Sequence, residues 1–319
     1  MTGARNRVVA LCGGIGGAKL VLGLSRVMAP ADLTVIVNTG DDFEHLGLAV
    51  SPDLDTVMYT LAGLDDPRRG WGRRDESWSF MRALAALGGE TWFQLGDGDL
   101  ATHMERTRRL RAGEKLSAIT ADFCRRLGIA VAIFPMSDDR VRTRVWTDLG
   151  QLDFQDYFVR RRCTPAVHRL AYEGAAVARP HPLAMAALHD ARVRAVVICP
   201  SNPWLSIEPM LALPGLRAAV AACPAPVIAV SPIVAGAAVK GPTAKMMAEL
   251  GIPVTASAVA RRYSDLLDGY VVDRADAAQA TELDVAVMVT NTLMRSLADR
   301  EGLARDVLAH ADTLAKAPA

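Results

Sequence analysis

The chain opens on an apolar run, Val8-Val9-Ala10-Leu11-Cys12. It then passes through Gly13-Gly14-Ile15-Gly16-Gly17 and continues from Ala18-Lys19-Leu20 with apolar residues at helical spacing. This order predicts a strand, a tight turn and a helix ending near Met28-Ala29-Pro30. Leu33-Thr34-Val35-Ile36-Val37 is β-branched and predicts a second buried strand. Ser51-Pro52-Asp53 predicts a helix start running to about residue 63, with Ser51 as N-cap, Pro52 at the first helical position and Asp53 at the positive end.

Glycine breaks delimit helices over residues 75–87, 101–111 and 115–127, so residues 64–128 read as a mostly helical insertion. A strand is expected over 129–134. Residues 141–159 alternate apolar and polar about Asp148-Leu149-Gly150, which predicts a hairpin in a small β-containing insertion over 140–182. Strands are expected again over 195–199, 226–230, 252–254 and 270–273. Thr243 should cap a helix running to Leu250, and 285–310 reads as mainly helix. The expectation is one Rossmann-like α/β domain over 1–319, a parallel sheet with helices on both faces, closing in a short Lys316-Ala317-Pro318-Ala319 tail.

Composition changes this picture little. Hydrophobic residues make up 51% of the 319 and the net charge is +1, so a core is assured and nothing global favours nucleic acid or a membrane surface. Small molecules become the expected partners. Five scattered cysteines without a C-x-x-C pair or a secretory leader read as reduced thiols of a cytoplasmic protein. The uncharged stretch 218–239 carries Pro224, Pro226 and Pro232, which suits loops around a short buried strand better than a membrane helix.

The chemistry concentrates at strand ends. A glycine turn leading into a helix offers backbone N–H groups and a positive dipole end to an anion, with a tight turn holding no ligand as the other reading. Gly16 is expected in the left-handed conformation. Lys19 stands where a dinucleotide fingerprint has its third glycine, and Asn38 stands where a ribose-binding acid belongs, so an NAD enzyme is disfavoured. Asn38-Thr39-Gly40-Asp41-Asp42 ends the second strand, a ligand position in open parallel sheets or else a turn of solvated acids. Asp41, Asp42, Asp53 and Asp55 lie on two turns about a dozen residues apart and can converge on magnesium, which usually takes only one or two carboxylates, with Asp41 and Asp55 favoured and Asp53 read also as a cap. Lys240 and Lys245 flank the entrance of the helix at Thr243, a second anion site or a solvated helix start.

These turns, in order, resemble the 2-phospho-L-lactate transferases of deazaflavin coenzyme (F-420) biosynthesis. The pieces are the glycine turn through Leu20, Asn38 to Asp42, Ser51-Pro52-Asp53-Leu54-Asp55-Thr56, Leu95-Gly96-Asp97 through Thr102-His103, Pro135-Met136-Ser137-Asp138-Asp139, Pro200-Ser201-Asn202-Pro203 and Ser231-Pro232-Ile233. The resemblance implies a Rossmann-like homodimer and a magnesium-dependent reaction. In it the ribityl hydroxyl of a deazariboflavin precursor attacks a guanosine diphospho-conjugate of a small phosphorylated acid, and GMP leaves.

It further implies Asp41 and Asp55 as catalytic, and Gly14, Gly16, Gly17, Lys19, Ser201, Asn202, Lys240 and Lys245 around the nucleotide and its phosphates. Asp55, Gln94, Asp97, His103 and Met136 would meet the deazaflavin. Gln94 stands where a basic residue is expected, and Cys199 precedes Pro200 where glycine is common. The acid itself, lactate, enolpyruvate or glycerate type, is left open. A related group of gluconeogenesis or cell-shape factors, which bind nucleotide sugars without catalysis, shares the glycine turn and the acidic step and is the alternative.

Overall fold

The computed structural model describes residues 5–315; the tail read at 316–319 lies outside the described residues. Strands and helices follow in the order β1 (Arg7–Cys12), α1 (Gly14–Val27), β2 (Leu33–Val37), β3 (Phe43–His45), β4 (Leu48–Val50), α2 (Pro52–Leu61), α3 (Ser79–Ala86), α4 (Asp97–Arg111) and α5 (Leu116–Arg126). Then come β5 (Ala132–Pro135), β6 (Arg142–Thr147), β7 (Gly150–Asp153), β8 (Val167–Glu173), α6 (Pro182–Leu188), β9 (Val193–Ile198), α7 (Glu208–Leu211) and α8 (Leu216–Ala221). The chain closes with β10 (Val227–Val230), β11 (Ile233–Val234), β12 (Ala237–Ala238), α9 (Thr243–Glu249), α10 (Ala256–Arg262), β13 (Gly269–Asp273), β14 (Ala286–Thr290) and α11 (Leu297–Thr313).

Seven strands form one parallel sheet in the order β14-β13-β10-β9-β1-β2-β5. From β1 the chain builds outward through β2 and β5, then returns to β9 on the other side. The crevice between the carboxyl ends of β1 and β9 is therefore the topological switch point, where ligands of such sheets collect. Side chains of β1 alternate between two cores: Val9 and Leu11 enter one, Val8, Ala10 and Cys12 the other. Both faces of the sheet are covered, as the apolar runs 8–12 of β1 and 195–198 of β9 require. Helices α3, α4 and α5 fall within 64–128, and the antiparallel sheet β7-β6-β8 within 140–182. Among the described residues no disulfide links the cysteines. Among the described residues no helix is long and apolar enough to cross a membrane.

Several boundaries differ from the periodicity reading, each for a tertiary reason. Helix α3 starts at Ser79 rather than at 75, because Asp97 accepts the amides of Ser79 and Phe80. Helix α4 starts at Asp97 rather than at 101, because Glu76 accepts the amides of Gly98 and Asp99 at 2.6 and 3.0 Å. Each loop thus supplies the acid that caps the other's helix. Residues 286–290, expected helical, pair with β13 as the edge strand. Ile252-Pro253-Val254, expected as a strand, is irregular; the Ile252 amide returns to the Met247 carbonyl and ends α9. Ser51 makes no side-chain cap for α2, and Pro242 rather than Thr243 holds the N-cap position of α9.

Candidate functional site

At the switch point the glycine turn is cross-linked to its surroundings. The Gly13 amide donates to Ser201 Oγ at 3.1 Å, and that hydroxyl donates back to the Gly13 carbonyl at 2.7 Å. Gly14, with φ +65°, donates its amide to Asp53 Oδ1 at 2.6 Å. The left-handed residue is therefore Gly14, and Gly16 sits inside the first turn of α1. Gly16 is glycine because a Cβ there would collide with the Pro200 carbonyl oxygen, and Gly17 because one would lie 2.6 Å from Ser201 Oγ and 2.8 Å from Cys12 Sγ. With Gly13 and Gly14 engaged, Ile15 and Gly16 are the first-turn amides of α1 left for an anion.

Asn38 organises the acids. Fully buried at the end of β2, it fixes its own turn by accepting the Gly40 amide at 2.8 Å. Its Nδ2 faces Asp53 Oδ2 at 2.9 Å, Leu205 O at 3.1 Å and Asp41 Oδ1 at 3.2 Å. Two hydrogens cannot fully serve three acceptors, so Asp41 and Asp53 remain under-neutralised in this structure. Burial, then the neighbouring Asp53 and Asp42, hold the Asp41 carboxyl well above the usual range. Burial likewise raises Asp53 to about 6, against hydrogen bonds from Asn38, Gly14 and Ser206.

The four aspartates do not form one cluster. Asp42 turns to Ser51, whose Oγ donates to Asp42 Oδ2 at 2.8 Å, while its Oδ1 is a buried oxygen without a partner. Burial raises Asp42 to about 7, against the pull of Arg142 and the Ser51 hydrogen bond. Asp55 is held instead by Arg106, which is 1% exposed and reaches both carboxylate oxygens with its Nη atoms. His103 completes this group: its Nδ1 lies 3.2 Å from Arg106 Nη1 and its Nε2 3.2 Å from Asp99 Oδ2, and Tyr59 donates to Asp99 Oδ1 at 2.7 Å.

A cavity of about 840 Å³ spans these features. Gly14, Gly16, Lys19, Asp41, Asp53, Asp55, Gln94, His103, Ser201, Asn202 and Lys240 line it, together with Tyr59, Asp99 and the apolar Phe93, Phe154 and Phe158. Five expected site residues stand elsewhere. Gly17 and Asp42 lie behind the wall, and Met136 is fully buried in the core. Asp97 caps α3. Lys245 pairs with Glu249 and donates to the Pro165 carbonyl at 2.9 Å, which accounts for its charge.

Sequence reasoning missed Arg106 and the role of Asn38. Asp99, His103 and Arg106 share one face of α4 at spacings of four and three, a signal that was present but looked like ordinary helix surface.

Asp41 and Asp53 suit a divalent cation: two hard oxygen donors at one nitrogen, both disfavoured as bare anions by burial and by each other. A second group, Asp55, Asp99 and His103, also has ligand atoms within 4.8 Å of one another. There the Arg106 guanidinium already supplies the positive charge, so the first group fits a metal better.

The family model of 2-phospho-L-lactate transferase CofD matches residues 8–307. The phosphoenolpyruvate transferase of Streptomyces griseus is 46% identical over 286 residues, covering 88% of this chain and 89% of that protein. The phosphoenolpyruvate transferase of Streptomyces coelicolor is 43% identical, covering 98% of this chain and 100% of its own, and that of Mycolicibacterium smegmatis is 40% identical, covering 86% and 89%. A crystal structure of a UPF0052-family protein from Bacillus halodurans is similar in fold, with a TM-score of 0.64 at 14% identity over 95% of this chain and 99% of that one.

Proposed function

The chain belongs to the 2-phospho-L-lactate transferase CofD family and is a phosphotransferase, and from that premise we propose that it acts in coenzyme F-420 biosynthesis, joining a phosphorylated acid to the deazariboflavin precursor. The donor is the guanosine diphospho-conjugate of the acid. The ribityl hydroxyl oxygen forms the new bond to the phosphorus that carries the acid, the bond from that phosphorus to the GMP oxygen breaks, and GMP leaves. The enolpyruvyl acid is favoured, because the relatives at 40 to 46% identity carry the name phosphoenolpyruvate transferase.

The observation that carries this reading is the pair Asp41 and Asp53 sharing Asn38 beside the glycine turn, at the switch point of the sheet. Phosphoryl transfer asks for charge neutralisation and in-line positioning more than for a covalent nucleophile. Asp41 and Asp53 hold magnesium, which when bound offsets the charge of the diphosphate. The amides of Ile15 and Gly16 and the ammonium of Lys240 take phosphate oxygens, and Ser201 and Asn202 line the nucleotide side. Phe93, Phe154 and Phe158 suit the flat ring system of the acceptor. Asp55, fixed by Arg106, accepts the hydrogen bond of the ribityl hydroxyl and then its proton.

The test is direct. Purified protein is given the deazariboflavin precursor, magnesium and each guanosine diphospho-conjugate in turn, and the products are weighed by mass spectrometry. The enolpyruvyl conjugate should give the phosphodiester together with stoichiometric GMP. No product from any conjugate would overturn the reading.

A further inference from the structure

Beside the main cavity lies a recess of about 90 Å³, sharing Ile15, Lys19, Tyr59 and Lys240 with it and closed by the loop around Asp65, Asp66 and Gly70. A space of that size holds a few atoms and excludes a nucleoside or a ring system, which need several hundred Å³. Four cations line it: Lys19, Lys240, Arg295 and Arg300.

The fold brings them there deliberately. Helix α1 and helix α11 approach so closely at Gly23 that a Cβ would collide with the Arg300 carbonyl oxygen, and this contact sets Arg300 beside Lys19. Lys19 Nζ donates to the Met294 carbonyl at 3.1 Å, fastening α1 to the loop that carries Arg295. The Lys240 ammonium sits over Gly70, where no side chain obstructs it.

The charges are not balanced internally. Neither Arg295, Arg300, Lys19 nor Lys240 forms an ion pair within 4 Å among the described residues, whereas most other arginines of the chain do. Arg300 Nε is buried without a hydrogen-bond partner. Of the two acids on the rim, Asp66 is committed to the amides of Arg68 and Arg69. Burial, then Arg300 and Lys240, depress the Lys19 ammonium, with only Asp65 opposing. Lys240 and Arg295 are exposed and screened by water, so the cost falls on the part-buried Lys19 and Arg300, and a site that holds two like charges there with two more at its rim is shaped for an anion.

We propose that this recess receives the carboxylate of the acid carried by the donor, with Arg300 and Arg295 as the residues that make the enzyme specific for an acid. The inference rests on the transferase function above. The donor contains three anionic groups, two phosphates and one carboxylate. The phosphates are served by the amides of Ile15 and Gly16, by Lys240 at the shared edge of the two spaces, and by the cation site at Asp41 and Asp53, neither of which lines the recess. The carboxylate is the remaining group, and a planar guanidinium matches it with two parallel hydrogen bonds.

The experiment compares Arg300→Met, Arg295→Met and Arg300→Lys with wild type, each checked for an unchanged melting curve. Steady-state kinetics are measured with the enolpyruvyl conjugate and with a conjugate in which a neutral isopropyl ester replaces the acid; GDP binding is measured by calorimetry. The methionine variants should raise KM for the acid conjugate by about tenfold to a hundredfold, the span of one to two charge-assisted hydrogen bonds. They should leave GDP affinity and the neutral conjugate unaffected, and Arg300→Lys should recover part of the loss. GDP affinity falling in step with KM would assign the recess to a phosphate and overturn the proposal, as would an unchanged KM in an active series. A wild type that turns over no conjugate overturns the function itself, and this inference with it.

Discussion

Arg106 meets Asp55 end on, inside the protein, with Nη1 3.0 Å from Oδ2 and Nη2 on Oδ1, and neither side chain is more than 6% exposed. A carboxylate at a helix start facing a ligand cavity would ordinarily be a free anion. Here it is one half of a buried pair, which gives Asp55 a fixed orientation and makes it structurally expensive to alter.

Asp55→Asn should therefore destabilise the fold as well as abolish turnover. Removing one partner leaves the Arg106 charge uncompensated, at a cost of about 3–5 kcal/mol. Urea unfolding of the metal-free protein checks it. A variant as stable as wild type would mean that the pair carries no net stability, and that Asp55 can be judged by activity alone.

Asp41→Asn should behave in the opposite way. Asp41 accepts from Asn38 and faces Asp53 and Asp42, whose repulsion outweighs the pull of Arg142, so losing its charge relieves repulsion. The metal-free variant should melt at or above the wild-type temperature while turnover falls by about a hundredfold or more, the usual effect of losing one electrostatic element of a transition-state site. Normal turnover with unchanged magnesium dependence would remove Asp41 from the metal site.

The same acids set a pH dependence. Asp42 is raised to about 7, Asp53 to about 6 and Asp41 well above the ordinary value, in each case chiefly by burial. The folded protein holds protons that the unfolded chain releases near about pH 4, so their contribution is full below that value and is lost as pH rises through 6 to 7. Metal-free protein should consequently melt lower at about pH 7.5 than at about pH 5.5, and magnesium should raise the melting point at the higher pH. Differential scanning calorimetry with and without magnesium reads both effects; a flat profile would contradict them.

Gly16→Ala should cost stability rather than only nucleotide affinity. Its Cβ would meet the backbone carbonyl of Pro200, which cannot rotate away as a side chain would. Overpacking of this kind costs about 1–3 kcal/mol. Thermal melts beside GDP titrations separate the two consequences, and an unchanged melt would show that the Pro200 turn yields.

Lys240 and Lys245 should part company. Lys240→Met should weaken GDP binding, since its ammonium faces the cavity, whereas Lys245→Met should leave it within about twofold and cost at most about 1 kcal/mol from the partly exposed Glu249 pair. Equal losses in both would mean that α9 as a whole carries the anion site.

Sequence alone determined the parallel α/β class, the strand, glycine turn and helix at the amino end, the position of β2, and the hairpin of β6 and β7, because each follows from which faces of a local segment must leave water. It also determined the family, since the turns that end the strands carry their chemistry as contiguous motifs. Tertiary structure decided what lies between segments. Residues 286–290 are a strand only because β13 offers an edge to pair with; a five-residue apolar run contains nothing to distinguish it from buried helix. That Asp53 serves the glycine turn, that Asp55 belongs to Arg106, and that Asp97 caps a helix instead of facing a ligand are matters of hydrogen bonds closed across 39, 51 and 17 residues. Such bonds leave no local period, for they exist only once the sheet has brought β1, β2 and the helical insertion to the same end.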